Sequence, residues 1–249
     1  MRRVLIIPAA GRGSRLQADV PKLLVQVAGR AMLDHLLIKY RDYVSAVVVV
    51  VSPGAEAGVR AHCRTLGENV VTAVQHRPTG MLDAILAAAP AAAALNADRT
   101  WITWCDQVAI RPATVARLAA VEQDHADAAI VLPTADRADP YIHFLRDPSG
   151  RITGVLQRRE GDAMPPVGES DAGLFSLSPT ALDVLGVFSE SVPTGGGTAE
   201  RNFLPFIPWI AQTTPVHTFP CSDPFEAIGI NTPDDLREVE RFLARQGGA

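Results

Sequence analysis

The chain has 249 residues, 47% hydrophobic and 20% charged, a composition suited to a soluble globular protein with enough chain for a sizeable core. Its net charge of −4, with no basic run, gives a nucleic-acid partner no electrostatic support. Its three cysteines, Cys63, Cys105 and Cys221, form neither a CxxC pair nor a disulfide framework.

In chain order, RVLII (3–7) reads as a buried strand, followed by a run of small residues and a helix pattern from Met32 to Tyr40. SAVVVVV (45–51), NVVTAV (69–74), TWITWC (100–105) and DAAIVL (127–132) are continuous β-branched or apolar runs. Such runs suit strands covered on both faces. Helical patterns at Ala55–Leu66, Met81–Ala89 and Ala113–Gln123 lie between or after them. This βαβα alternation predicts a mostly parallel sheet with helices on both sides. The second half is less regular. YIHFLRD (141–147), RITGVLQ (151–157) and AGLFSLS (172–178) read as strands joined by polar turns. The last helix is well marked. Thr232 is its N-cap, Pro233 its first residue, Asp234 and Asp235 favour the positive end of the dipole, and Leu236, Val239, Phe242 and Leu243 line one face. No linker divides the chain and no internal repeat is visible. The N-terminal MRRVLIIPAAG superficially mimics a secretory leader, but its apolar core is short and meets a proline and a charged glycine loop, so none is expected. AILAAAPAAAAL is too short to span a bilayer and is broken by Pro90, so no membrane partner is expected. The expected compartment is cytoplasmic.

The segment after the first strand, PAAGRGSRLQADVPKLL, carries the chemistry. Ala9, Ala10, Gly11, Gly13 and Ser14 are small enough for backbone N–H groups to approach an anion closely, and Arg12 and Arg15 add charge. Read alone, the same residues also suit a plain strand-to-helix turn with surface arginines. The spacing is neither GxGxxG nor GxxxxGK[ST]. Asp106 follows a strand directly, where open α/β sheets bind ligands, and is a good hard-cation ligand. His76 and His143 have no second histidine at a metal-binding spacing, and Cys105 reads as a packed residue.

PAAGRGSRL, then PKLL and VAGRAMLDHLL, resembles the signature of sugar-1-phosphate nucleotidyltransferases, roughly LAAGxGxRL…PKxLxxxxGxPMLxH. QHRPTGMLDAI, WCDQVAI, ESDAGLF and EAIGINTPDDLREVE resemble that family's later motifs, in order, so the resemblance spans residues 3 to 241. It is greatest to the uridylyltransferase domain of the N-acetylglucosamine-1-phosphate enzymes, without their left-handed β-helix. The resemblance implies a three-layer Rossmann-like α/β fold with a mixed, mostly parallel central sheet. It implies one nucleotidyltransferase domain over 1–249, with a nucleotide-binding half over about 1–135 and a sugar-binding half over about 136–249. The implied reaction transfers an NMP group from an NTP, UTP favoured, to a sugar-1-phosphate, with Mg2+ as cofactor. Lys22 would neutralise phosphate charge and Arg15 the leaving pyrophosphate. Ala9, Ala10, Gly11, Gly13, Gln75 and Gly80 would bind the nucleotide, and Asp106 and Asn231 the metal.

This chain also departs from the family pattern. Met81 replaces a threonine beside the base segment. Ile142, Gln157 and Asp171 stand where the relatives place a glycine, a glutamate and an asparagine around the sugar. A cytidylyltransferase acting on a non-sugar phosphorylated acceptor, and a non-catalytic regulator built on the same fold, are the rival readings. Nothing in the sequence fixes an oligomeric state.

Overall fold

A computed structural model describes residues 1–11, 16, 18–66 and 70–246. The elements are β1 (Arg3–Pro8), β2 (Gln26–Val27), β3 (Arg30–Ala31), α1 (Met32–Tyr40), β4 (Ala46–Val51), α2 (Pro53–Leu66), β5 (Val70–Val74), α3 (Met81–Ala94), β6 (Arg99–Thr103) and α4 (Pro112–Asp124). They continue with β7 (Ile130–Ala138), β8 (Ile142–Arg146), β9 (Ile152–Gln157), β10 (Val167–Asp171), β11 (Leu174–Leu177), α5 (Pro179–Ser191), α6 (Phe206–Ile210), β12 (Val216–Pro220) and α7 (Pro233–Gln246).

Among the described residues, the central sheet has eight strands in the order β10-β7-β11-β6-β1-β4-β5, with β12 beside β7. β6, β1, β4 and β5 pair in parallel, as do β12 and β7. β11 is antiparallel to both neighbours, β6 and β7, and β10 is antiparallel to β7. The strand expected at DAAIVL therefore keeps the direction of β6 without pairing with it, because β11 lies between them. β8 and β9 form a separate hairpin, as do β2 and β3.

The layers follow from strand alternation, since successive side chains point to opposite faces. Leu5, Ile7, Val47, Val49 and Trp101 face one core, filled by Leu33, Leu36 and Tyr40 of α1, Val59 of α2, and Val115 and Leu118 of α4. Val4, Ile6, Val48, Val50 and Ile102 face the other, filled by Leu82, Ile85 and Ala88 of α3, Leu185 and Phe188 of α5, and Phe206 and Ile207 of α6. A third, smaller core gathers Leu16, Val25, Val27, Met32, Val108, Ala109, Ile230, Val239 and Phe242. It joins α7 to the β2–β3 hairpin and to the segment after β6.

Two helix bounds differ from expectation by more than one residue. α2 starts at Pro53, where proline is tolerated because a first-turn N–H needs no partner. α3 runs through Pro90 to Ala94. Burial of Ala88 and Ala92 on either side of the proline offsets the lost hydrogen bond, as tertiary packing often does. Among the described residues, no helix is long and apolar enough to cross a membrane.

Candidate active site

Parallel pairing puts the carboxyl ends of β1, β4 and β6 at one edge of the sheet. Asp106 lies three residues beyond the end of β6. Lys22 opens a short 3-10 turn, Lys22–Leu24, after Pro21, and Asn231 lies two residues before α7. These three segments are far apart in sequence, yet their side chains meet. Lys22 Nζ donates to Asp106 Oδ2 at 2.6 Å and to Asn231 Oδ1 at 3.1 Å. The Lys22 and Asp106 side chains are 12% and 14% exposed, so the pair sits within reach of a ligand but largely out of bulk water.

Several contacts hold this meeting in place. Ile230 N–H donates to the Asp106 carbonyl at 3.2 Å. A Cβ at Gly229 would stand 3.2 Å from Asp106 Cγ and 3.3 Å from Asn231 Nδ2, tighter than ordinary side-chain contact. Asp235 Oδ2 accepts from the Asn231 and Thr232 N–H groups at 2.9 and 2.8 Å, and Thr232 Oγ1 accepts from Asp235 N–H at 3.2 Å. The expected cap of α7 thus also fixes the backbone of Asn231. Val108 and Ile230 share the third core with Val239 and Phe242, so apolar packing closes the two site segments against each other.

Two charges beneath the site, one half-buried and one fully buried, carry no evident signal in the sequence. Lys39, inward on α1, donates from Nζ to the Val108 carbonyl at 2.6 Å. Burial lowers its ammonium pKa to about 7, against an opposing pull from Glu226. Glu226 is fully buried and accepts from Arg111 N–H at 2.9 Å, Asp223 N–H at 3.1 Å and Ser222 Oγ at 2.8 Å. Lys39 and Glu226 therefore hold the 106–111 segment from below. The Asp223-Pro-Phe-Glu226 spacing was the available clue, since it is a capping box.

In the opening loop, Ala9 N–H donates to the Val50 carbonyl at 2.8 Å, so that amide serves the sheet. Ala10 is buried, and Gly11 is exposed, with no atom of the described residues within 4 Å of a built Cβ. Gly13 and Arg15, with Arg12, lie outside the described residues.

Gln75 and Gly80 are brought together, Gln75 Nε2 donating to the Gly80 carbonyl at 3.0 Å. Gly80 has φ +121°, and a Cβ there would meet the Arg201 carbonyl oxygen at 2.3 Å. Arg201 N–H donates to Thr79 O at 2.8 Å, and its carbonyl accepts from Leu82 N–H at 3.1 Å. The chain at Arg201 is thereby laid along Thr79–Leu82.

Of the three residues expected at the sugar, Ile142 and Gln157 are direct partners across the β8–β9 hairpin. Ser170 Oγ donates to the Ile142 carbonyl at 2.6 Å, and Asp171 is the residue that follows Ser170. Asp171 is buried and accepts from Gly173 N–H at 2.8 Å. Burial pushes its carboxyl up to about 6, against the pull of hydrogen bonds from the Gly173 N–H and the Trp104 side chain. Gly173 has φ +68°, and a Cβ there would strike Gln107 Cγ at 2.4 Å and Trp104 Cδ1 at 2.6 Å. Gln107 is 4% exposed and its Oε1 has no hydrogen-bond partner among the described residues. It was overlooked in the sequence because it reads as filler between Asp106 and an apolar run. Cys105 is buried, and burial pushes its thiol up to about 12, so it is inert as a nucleophile at neutral pH.

Residues 5–166 match the MobA-like NTP transferase domain. The bifunctional protein GlmU of Alkalilimnicola ehrlichii is 31% identical over 247 residues, covering 97% of this chain and 51% of its own length. That of Pseudomonas putida strain F1 is 29% identical over 248 residues, covering 98% and 52%. The chain spans about half the length of these curated relatives. Among solved structures, a CMP:2-keto-3-deoxy-manno-octonic acid synthetase complexed with CTP aligns with TM-score 0.71 and 18% identity over 99% of this chain and all of its own. An inositol-1-phosphate CTP transferase from T. maritima aligns with TM-score 0.72 and 18% identity over 98% and 96%. At that identity the likeness carries the fold alone, and the fold is the expected one. The chain belongs to the MobA-like NTP transferase family and is a nucleotidyltransferase.

Proposed function

We propose that this chain transfers an NMP group, from UTP by preference, to a sugar-1-phosphate, giving an NDP-sugar and pyrophosphate. The convergence of Lys22, Asp106 and Asn231 at the carboxyl edge of the parallel strands carries this reading. In the reaction, an oxygen of the acceptor phosphate forms a bond to the α-phosphorus. The bond from that phosphorus to the bridging oxygen of the β-phosphate breaks, and pyrophosphate leaves with the electron pair. A phosphate monoester has its second pKa near ~6, so the acceptor arrives ionised and needs no general base. The protein must overcome repulsion between anions and hold them in line.

The residues fit Mg2+. Asp106 Oδ2 and Asn231 Oδ1 already converge on one cation, the Lys22 ammonium. Among the described residues, no cluster of three or more His, Cys, Asp or Glu forms an all-protein metal cage. Two protein oxygens suit a Mg2+ that keeps waters and takes phosphate oxygens. When bound, the ion would supply charge neutralisation at the phosphates. The chain's own residues do the rest. Ala10, Gly11 and Gly13 would line the triphosphate, and Arg15 would meet the leaving pyrophosphate. Ala9 would contribute its small side chain, since its N–H is spent on Val50. Lys22 would neutralise phosphate charge as the bonds exchange. Gln75 and Gly80 would take the pyrimidine, and Ile142, Gln157 and Asp171 the sugar.

Each of those three acceptor positions differs from the N-acetylglucosamine-1-phosphate enzymes in bulk or hydrogen-bonding sense. Leaving a buried polar group unpaired costs about 1–3 kcal/mol. The preferred acceptor is therefore a different sugar-1-phosphate. The test is pyrophosphate release with Mg2+ across a grid of NTPs and sugar-1-phosphates. Release with UTP and one sugar-1-phosphate well above N-acetylglucosamine-1-phosphate is expected. Release only with CTP and a non-sugar phosphate would give the acceptor assignment to the cytidylyltransferase reading. No release with any pair would point to a binding protein.

A further inference from the structure

The Lys22 ammonium lies 2.6 Å from Asp106 Oδ2 and 3.1 Å from Asn231 Oδ1. Those are the two oxygens that the reading above gives to Mg2+. A Mg2+ held by both oxygens would compete with the ammonium for the space on which they converge. Two cations a few ångströms apart in a largely buried lobe repel strongly. We infer that Lys22 and the divalent cation exclude each other at Asp106 and Asn231, and that Lys22 couples metal binding to nucleotide binding. This inference rests on the assignment of the metal to Asp106 and Asn231.

The surroundings favour movement of the lysine rather than of the oxygens. Asn231 is held through its backbone by Asp235, and the Asp106 main chain by Ile230. Lys22 ends in a point charge on a flexible four-carbon stem. A metal arriving alone must break both of these Lys22 hydrogen bonds. A metal arriving with a triphosphate offers the displaced ammonium phosphate oxygens in exchange. Metal and nucleotide therefore assist each other, and the assistance is reciprocal by linkage. Lys22 thus has two stations, on the carboxylate before substrate and on the phosphates with it.

The test is Mn2+ binding to the full chain without nucleotide, followed by electron paramagnetic resonance of free Mn2+. Four proteins are compared: wild type, Lys22→Met, Lys22→Gln, and Lys22→Met combined with Asp106→Asn. Circular dichroism checks folding, and two different neutral replacements guard against loss of either one. Removing the ammonium is expected to tighten Mn2+ binding about tenfold, within the usual range of site-to-site coupling. The double variant should lose that gain. Adding UTP should tighten Mn2+ binding to wild type by a larger factor than to Lys22→Met. Equal or weaker Mn2+ binding by both single variants, with the Asp106 dependence intact, overturns the exclusion while sparing the metal assignment. Mn2+ binding unaffected by Asp106→Asn overturns both.

Discussion

At the scale of single residues, the site turns on a few side chains whose burial sets their behaviour. Asp106→Ala removes the only carboxylate among the residues given to the metal, and leaves Asn231 alone to hold it. Turnover should fall on the order of 100-fold or more, comparable to other lost electrostatic partners, while the thermal transition survives. Near-normal turnover would remove Asp106 from the site. Gly11 makes a different case. A Cβ there meets no atom of the described residues, so Gly11→Val should leave stability within about 0.5 kcal/mol. On the proposed function the added bulk would stand between the backbone and the triphosphate, so nucleotide affinity, measured by calorimetry, should drop. Unchanged affinity would make the loop a plain turn. Asp171 gives a pH signature. Its carboxyl is pushed up to about 6 by burial, while an unfolded aspartate titrates near ~3.9. The folded state thus holds the proton more tightly. The resulting stability is fully present below the unfolded value and is lost as pH rises through about 6, on the order of 3 kcal/mol in all. Urea titrations should therefore show wild type gaining on Asp171→Asn between pH 7 and pH 5. Parallel pH profiles would mean Asp171 does not titrate there.

At the scale of elements, what was readable in the sequence depended on whether local pattern and tertiary burial agreed. β1, β4 and β6 lie in continuous apolar runs because both faces are covered, whereas β5, with the same kind of run, is an edge strand that is only half-buried and exposes Val71. The helices between them show their stripes. The helix α7 announced itself through Thr232 and Pro233. β10 and β12 did not. Val167–Asp171 reads VGESD and Val216–Pro220 reads VHTFP, and both become strands only through pairing with β7. α5 does carry a local signal, since Ser178 accepts from Ala181 N–H and Pro179 opens the helix, although AGLFSLS before it reads only as a strand. Asp106, Lys22 and Asn231 could be picked out because each sits in a motif at a strand or helix end. Lys39, Gln107 and Glu226 could not, because their roles come from packing between elements far apart in sequence. The turn before α3 shows what such contacts demand. Gly80→Ala meets a φ of +121° and the Arg201 carbonyl together. A loss of at least about 1–3 kcal/mol is expected from the denaturation midpoint. A neutral result would mean the chain at Arg201 does not pack there.

At the scale of the whole molecule, the two edges of the sheet have been given different work. At the amino edge, Glu122 is fully buried, with Oε1 accepting from Arg3 Nε at 2.5 Å and Oε2 from Trp101 Nε1 at 2.8 Å. Arg99 joins it through Ser176, donating from Nε to the serine hydroxyl at 3.0 Å. Removing the carboxylate strands two buried arginines, so Glu122→Ala should cost about 3–5 kcal/mol. None of these groups reaches the opposite edge, so kcat of the folded fraction should hold. Phe242 is 4% exposed in the third core, which also contains Val108 and Ile230 beside Asp106 and Asn231. Phe242→Ala should cost a similar ~3–5 kcal/mol as a large-to-small core change. Here, however, the cavity opens between α7 and the segments that carry Asp106 and Asn231. Turnover and Mg2+ dependence should therefore suffer even well below the melting temperature. The measurement is kcat against Mg2+ concentration for both variants, at a temperature where circular dichroism shows each folded. Glu122→Ala should overlay wild type, and Phe242→Ala should need more Mg2+. If Phe242→Ala lost stability alone, the third core would be a support for the fold rather than the clamp that sets Asp106 against Asn231.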